Sequence, residues 1–360
     1  MKKKAAESVV ALGKYLVGFA ILAAVMYRYW EPDIQRGIPG LRDLLRGPIE
    51  WKWLLACWLL ILLSVSLQIV RWHLLVRTLS IPLKLSRAYQ LGLLGLVGNT
   101  FLPGAVGGDF FRAYFLAKDS PGRRTAAVSA VLMDRGFGFF GLMFFAAAAG
   151  SAAWAAGDPR IRAGTELQWL VIVTAAIAGG IVLAFMLLGF LSMRRAERLA
   201  VQLRALPALG VVLSNLWHAV WRFRQHMRVM GYAVVLTGVS QLAIVLAFYL
   251  AARVFPPANP QTDLATLPET MIIAPIGFLV QALPLAPGGV GVSEAAFAGL
   301  YRLAGRPETQ GVVARLAMRI AELALALVAW IAYFRMRKEL RVAGGDAQSD
   351  GSLPPSPSPG

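Results

Sequence analysis

Among the ionisable side chains within or at the edge of strongly apolar stretches are Asp109, Arg112, Asp134, Arg135, Glu294, Arg319 and Glu322. Leaving one such charge in hydrocarbon costs on the order of 2.5 to 3.5 kcal/mol on insertion scales, so they should turn inward and pair. Residues three or four apart share a helix face, and adjacent ones do not. Arg319 can therefore reach Glu322, whereas Asp134 and Arg135 need partners elsewhere. The arrangement we expect is a network between the two halves of the chain, Asp134 with Arg319 and Arg135 with Glu322. Such a network serves either as structural pairing or as part of a substrate or gating path. Arg112, three residues after Asp109, either pairs with it or holds a lipid phosphate in its planar fork. Asp109 itself is placed to cap the helix that follows it.

Two of these carboxylates follow a repeated helix breaker. Pro103-Gly104-Ala105-Val106-Gly107 precedes Asp109, and Pro287-Gly288-Gly289-Val290-Gly291 precedes Glu294. The same offset carries Arg135 onto Arg319. Proline followed by small residues ends a helix, and matched breaks in two halves of a membrane protein point to a substrate site. The helix N-termini freed there attract anions. Because Asp109 and Glu294 already stand at those termini, the expected ligand is a headgroup carrying both signs, zwitterionic or amine-bearing. Asn99, Pro103, Gly104, Gly107, Gly108, Pro287, Gly288, Gly289 and Gly291 complete the candidate substrate-binding and translocation set.

The elements that must position these residues follow from the solvent. Of 360 residues, 58% are hydrophobic and 15% charged, and mean hydropathy is +0.61, beyond ordinary soluble usage. This composition predicts an integral membrane protein. The net charge of +17 sits mainly between apolar segments, which argues for membrane topology and against nucleic acid. A lone cysteine, Cys57, excludes a disulfide framework, and His73, His218 and His226 lack metal-ligand spacing. Pro-Gly-Ala-Val-Gly-Gly lacks the Lys-Ser/Thr of a nucleotide loop. Neither an enzyme nor a cofactor is expected.

Along the chain, residues 9–30 read as an uncleaved first transmembrane helix, because a signal peptide has a shorter apolar core. Residues 53–75 read as a second, with Arg71, Arg77, Lys84 and Arg87 marking its cytoplasmic end. The apolar run 91–102 is too short to cross roughly 30 Å of hydrocarbon, and so is 110–117 beyond the break. The pair predicts a re-entrant hairpin, allowed where protein or a watery cavity satisfies the freed backbone. Segments 126–149, 168–191, 232–252 and 311–334 are long enough to span, and 271–285 with 293–303 form the second short pair. The basic connection 194–228, divided at Pro207, is either one or two amphipathic interfacial helices or a plain positive loop. Residues 344–360 are Pro/Ser-rich and predicted to be a disordered tail.

Of the 36 Lys and Arg, 21 fall on the connections assigned to the cytoplasm and 9 on those assigned to the outside. That bias places both termini inside. It also makes the hairpins enter from opposite sides. The expected fold is therefore an all-α integral membrane protein with about six full transmembrane helices plus two re-entrant hairpins arranged as an inverted repeat. The domain would span 1–343, with repeat units near 53–150 and 230–335.

Gly98-Asn99-Thr100-Phe101-Leu102-Pro103-Gly104-Ala105-Val106-Gly107-Gly108-Asp109-Phe110-Phe111-Arg112-Ala113-Tyr114, then Asp134-Arg135, then Leu283-Pro284-Leu285-Ala286-Pro287-Gly288-Gly289-Val290-Gly291-Val292-Ser293-Glu294-Ala295, resemble the lysylphosphatidylglycerol synthase transmembrane region. That family is also called the flippase-like membrane proteins, and the resemblance covers roughly residues 10 to 340. In the multiple peptide resistance factors such a domain is thought to flip aminoacylated phospholipid. Stand-alone members accompany hopanoid, glycolipid or cell-envelope pathways. The resemblance implies a lipid flippase or transporter of a bacterial-type cytoplasmic membrane. The alternative is a membrane scaffold for an envelope-lipid biosynthetic enzyme, docking through 194–228. The chain ends where those factors would continue into a soluble aminoacyl-transfer domain, so synthesis of lysyl-lipid is not expected of it.

Overall fold

The computed structural model describes residues 2–101, 107–157, 165–190, 193–204, 226–257, 263–283 and 285–349, with isolated positions between 205 and 262. These form twelve α-helices. The first six are α1 (Lys2–Arg28), α2 (Leu41–Arg46), α3 (Trp51–Thr78), α4 (Leu85–Phe101), α5 (Gly107–Asp119) and α6 (Arg124–Ala155). The rest are α7 (Thr165–Phe190), α8 (Met193–Arg204), α9 (Met227–Ala251), α10 (Leu267–Ala282), α11 (Val292–Leu303) and α12 (Glu308–Ser349), with a 3-10 turn at Pro287–Gly289 before α11. The described residues are all-helical, and α3, α6 and α9 are each long and apolar enough to cross a membrane. Exposed Leu55, Leu59 and Leu63 on α3, Val235 and Val239 on α9, and Ile320, Leu323 and Leu327 on α12 give the molecule an apolar exterior. A patch that extensive suits contact with lipid.

The two short pairs are antiparallel hairpins, as their cross-contacts show. In the first, Arg87 pairs with Asp119, Arg112 donates to the Gly92 carbonyl, and the Gly108 N–H donates to Asn99, so numbers fall on α5 as they rise on α4. In the second, Arg306 pairs with Glu269, the Gly277 Cα faces the Phe297 ring, and Gly289 lies on Gln281. Each hairpin is thus clasped by an Arg–carboxylate pair at the end away from its break, through two guanidinium nitrogens in both cases. Helix α10 begins on a capping box: Thr266 N–H donates to Glu269 Oε2 at 2.8 Å while the Thr266 hydroxyl accepts from Glu269 N–H.

In a bilayer the lipid tails are as apolar as leucine, so helices associate through close packing and buried polar contacts rather than escape from water. Two clusters of buried side chains do the packing. One, holding Trp72, Leu75, Leu91, Leu116, Ala127 and Val131, joins α3 to α6. The other gathers mainly on α9 to α12 around Phe248 and Phe297, whose rings stack 4.2 Å apart. The halves meet in matched ways: α3 packs along α9, α6 on α10, and α12 on α4.

Several expectations change. Helix α3 runs through Arg71 and Arg77 to Thr78, so Arg71 is an interior residue of a spanning helix and not a flanking charge. Polar Ser86, Arg87 and Gln90 extend α4 back to Leu85, because no breaker intervenes after Pro82. Part of the basic connection is helical as α8, with Arg194, Arg195 and Arg198 exposed, while Pro207 lies outside the described residues. Helix α12 runs on to Ser349, into the segment expected as a tail, since the chain holds no proline between Pro307 and Pro354. Residues 350–360 lie outside the described residues.

Candidate functional site

The charged residues gather into two clusters, one at each hairpin, and the pairing runs within each half. In the first, Asp134 on α6 accepts from Arg71 on α3, with Nε to Oδ1 at 2.8 Å. The same guanidinium donates to the Asp134 carbonyl at 3.1 Å and to the Thr237 hydroxyl on α9 at 2.9 Å. Arg112 reaches Asp134 at 3.9 Å, donates to the Gly92 carbonyl at 3.2 Å and lies over the Trp72 ring at 5.6 Å. Among the described residues its Nε is buried without a hydrogen-bond partner, as is the Trp72 Nε1. Arg135 pairs with Asp109, on the first turn of α5.

The second cluster has the same plan. Glu294, on the first turn of α11, accepts from Arg319 Nε at 2.7 Å, as Asp109 accepts from Arg135. Arg319 also donates to the Ser293 hydroxyl at 2.9 Å and to the Gly288 carbonyl at 3.3 Å. Arg315, fully buried one turn earlier on α12, donates to Ser293 at 3.2 Å and pairs with Glu322 at 2.8 Å. The second Glu294 oxygen accepts from the Gly291 N–H at 2.7 Å, so this carboxylate both caps the helix and binds an arginine.

The expected pairs between halves, Asp134 with Arg319 and Arg135 with Glu322, are therefore replaced. Asp134 takes Arg71, Arg135 takes Asp109, Arg319 takes Glu294 and Glu322 takes Arg315. The reason is local: the carboxylate on the second arm of each hairpin lies against the helix that follows directly in the chain. Asp109 spends its side chain on Arg135, while the neighbouring Gly108 N–H is satisfied by Asn99 Oδ1 at 2.9 Å. Arg71, Arg315 and Ser293 belong to these clusters and were not among the candidates. Arg315 was legible from its spacing, one and two turns before Arg319 and Glu322 on one face; Arg71 was masked by its resemblance to a flanking basic residue.

Of the two breaks, the first falls on residues 102–106, so Pro103 and Gly104 lie outside the described residues. Gly107 opens α5 and Gly108 packs against α4 so closely that an added Cβ would sit 1.8 Å from the Gly95 carbonyl oxygen. At the second break, Pro287–Gly289 forms the 3-10 turn and Gly288, Gly289 and Gly291 have φ of 55°, 67° and 77°, left-handed values that favour glycine. The second break lies against the end of α4. A Cβ on Gly288 would lie 3.2 Å from the Thr100 carbonyl oxygen and 3.8 Å from that of Asn99, at the end of α4.

The surroundings of the hairpins differ. Helix α1 covers the second break: Gly18 faces Ala286 and Val290, and Gly291 faces the Gly18 carbonyl. Glu294 and Arg315 are fully buried, and the Arg319 side chain is 15% exposed. Arg135 at the first hairpin is 44% exposed. An apolar groove of about 580 Å³ runs between the α4–α5 hairpin and α12, lined by Leu94, Val97, Gly98, Phe111, Leu327 and Trp330 among others. Among the described residues no group of His, Cys, Asp and Glu could hold a metal ion.

Comparison with known proteins places the chain among membrane proteins. Two curated proteins of Methanothermobacter thermautotrophicus, each named a UPF0104 membrane protein, are 26% identical to the chain. One match covers 73% of this chain and 78% of the relative, and the other 67% and 72%. No solved structure matches. The family described as the lysylphosphatidylglycerol synthase TM region matches residues 15–329, which takes in both hairpins and both charged clusters, and the chain belongs to that family.

Proposed function

We propose that this protein is a lipid transporter of the flippase type, moving an envelope lipid between leaflets at the junction of its two broken-helix hairpins. The observation that carries the reading is the second break seated on the first hairpin, with Gly288 against the end of α4 and an arginine–carboxylate pair on the second arm of each hairpin. Discontinuous helices at corresponding positions of two halves are how membrane transporters build a substrate site. The topology belonging to this reading has α1, α3, α6, α7, α9 and α12 spanning, both termini cytoplasmic, and the hairpins re-entrant from opposite sides as an inverted repeat. Matched packing of α6 on α10 and α12 on α4 supports the repeat. The membrane would be a bacterial-type cytoplasmic one.

Because Asp109 and Glu294 are each engaged by an arginine, they no longer argue against an anionic group at the breaks. No nucleotide loop is present in the sequence, so exchange would be passive or driven by an ion gradient. The test is reconstitution into liposomes carrying fluorescent phospholipid, with quenching of the outer leaflet. Wild-type protein should drive leaflet exchange, and Asp109→Asn or Arg319→Gln should slow it about tenfold or more. Well-folded protein that exchanges no headgroup offered sinks this reading in favour of a scaffold for a lipid-synthesising enzyme.

A further inference from the structure

The basic connection between the two halves takes no part in the hairpin clusters, and its charge is unspent. Residues 194–228 hold seven arginines against one carboxylate, Glu197. Four of them, Arg194, Arg195, Arg198 and Arg204, lie on α8 and are exposed, and none forms an ion pair with another described residue. At the hairpins, by contrast, Arg71, Arg135, Arg315 and Arg319 are each held by a carboxylate. With only Glu197 to set against its four arginines, α8 carries a net charge of +3.

Register decides where those charges stand. At about 3.6 residues per turn, positions 196, 199, 200 and 203 of α8, all Ala or Leu, fall on one face. Arg195 borders that face on one side and Arg204 on the other, while Arg194, Arg198 and the exposed Val201 stand opposite. An apolar stripe between two bordering arginines suits a helix lying in the plane of a membrane surface, its arginine stems along the acyl boundary and its guanidinium groups among the phosphates. Helix α8 also begins only three positions after α7 ends at Phe190. Helix α7 exposes Ile172, Val173, Leu183 and Leu187, so an α7 that crosses the bilayer sets α8 down at its surface. What lies beneath such a helix must be apolar inside and negatively charged at its face.

We infer that α8 docks the connection between the two halves onto the headgroups of anionic phospholipids, with Leu199 turned to the acyl boundary and Arg195 and Arg204 on phosphates. The partner is the anionic leaflet itself. Four to eight basic residues directly after a spanning helix are how chains recognise such a surface, and the planar guanidinium takes two phosphate oxygens at once. Because α8 follows the first hairpin and its flanking helices and precedes α9, docking holds the joint between the halves at the membrane surface. The inference uses the crossing of α7 from the topology above and does not need lipid exchange.

The experiment uses the full chain with Cys57 replaced and one environment-sensitive fluorophore attached through Leu199→Cys. The protein is placed in nanodiscs, which leave both membrane faces open, made of phosphatidylcholine alone or mixed with phosphatidylglycerol. Acrylamide, a neutral quencher confined to water, reads how exposed the label is. Phosphatidylglycerol should lower that quenching about threefold or more, since each arginine at an anionic surface favours the docked helix about fivefold. The difference should vanish at about 1 M salt, where the screening length falls to about 3 Å. A label through Val201→Cys, on the opposite face, should be quenched alike in both bilayers. Equal quenching of the Leu199→Cys label in both bilayers overturns the inference: protection in both means that apolar contact alone holds α8, and exposure in both leaves the helix in water and the connection to a partner protein. Arg195→Gln with Arg204→Gln should abolish the effect of phosphatidylglycerol, and the two lysine replacements should keep it; an effect that survives the glutamine pair overturns the assignment. Both arginines are exposed and unpaired, so an unchanged melting temperature should confirm that the variants fold. Lipid-dependent protection without leaflet exchange upholds this inference and defeats the transporter reading, and exchange without that protection does the reverse.

Discussion

Each buried arginine at the hairpins is held by a carboxylate from its own half of the chain, and that pairing has measurable consequences. Removing one partner of a buried pair strands the other and costs about 3 to 5 kcal/mol. A double-mutant cycle reads the pairing directly. Glu294→Gln with Arg319→Gln should show a coupling of about 0.5 to 3 kcal/mol in thermal unfolding, because the residues share a 2.7 Å hydrogen bond. Asp134→Asn with Arg319→Gln should be additive within about 0.5 kcal/mol; strong coupling there would restore a network between the halves. That Asp134, Arg135, Arg319 and Glu322 must pair was legible in the sequence, because hydrocarbon leaves a charge no other option. Their partners were not, since partner choice depends on how each helix is rotated about its axis. Arg71 shows the same limit: Trp72, Leu74, Leu75 and Val76 follow it in the helix and mark it as interior, but His73 and Arg77 make the stretch read as a helix end.

The hairpins are elements defined by what interrupts them. Proline and glycine marked both breaks in the sequence, and the short arms on either side are where the spacing put them. Arm length was less legible, because α4 recruits Ser86, Arg87 and Gln90, polar residues that no hydropathy pattern assigns to an apolar helix. Within the first hairpin the arms touch backbone to backbone at Gly95 and Gly108. Gly108→Ala should therefore force the arms apart and destabilise the protein by about 1 to 3 kcal/mol, the range seen for overpacking. Gly136→Ala, on α6 with nothing within 4 Å of the added methyl, is the control. It should be neutral or stabilising by up to about 1 kcal/mol from helix propensity. Melting temperatures of the two variants in the same detergent separate close packing from a general intolerance of alanine.

At the scale of the whole molecule the inverted repeat predicts orientation. Replacing the buried Cys57 gives a background without cysteine. Single cysteines placed at Asp119 and at Arg306, the outer ends of the two hairpins, should then react with an impermeant maleimide from opposite sides of the membrane. Reaction of both from one side would end the inverted-repeat topology.

The seat of α1 on the second break has a practical side. Gly18 is wedged against Ala286 and Val290 midway along a helix that begins at Lys2, so any displacement of that turn must carry the helix with it. The N-terminus is then a pointer fixed to a mechanism some distance away. A donor fluorophore on the first residues, with its acceptor on the exposed α8, should change its transfer efficiency during lipid turnover and stay constant when Gly288 is cross-linked to Thr100 through paired cysteines. A bulky fusion at the same end would load the pointer, so tags for purification belong at the C-terminus.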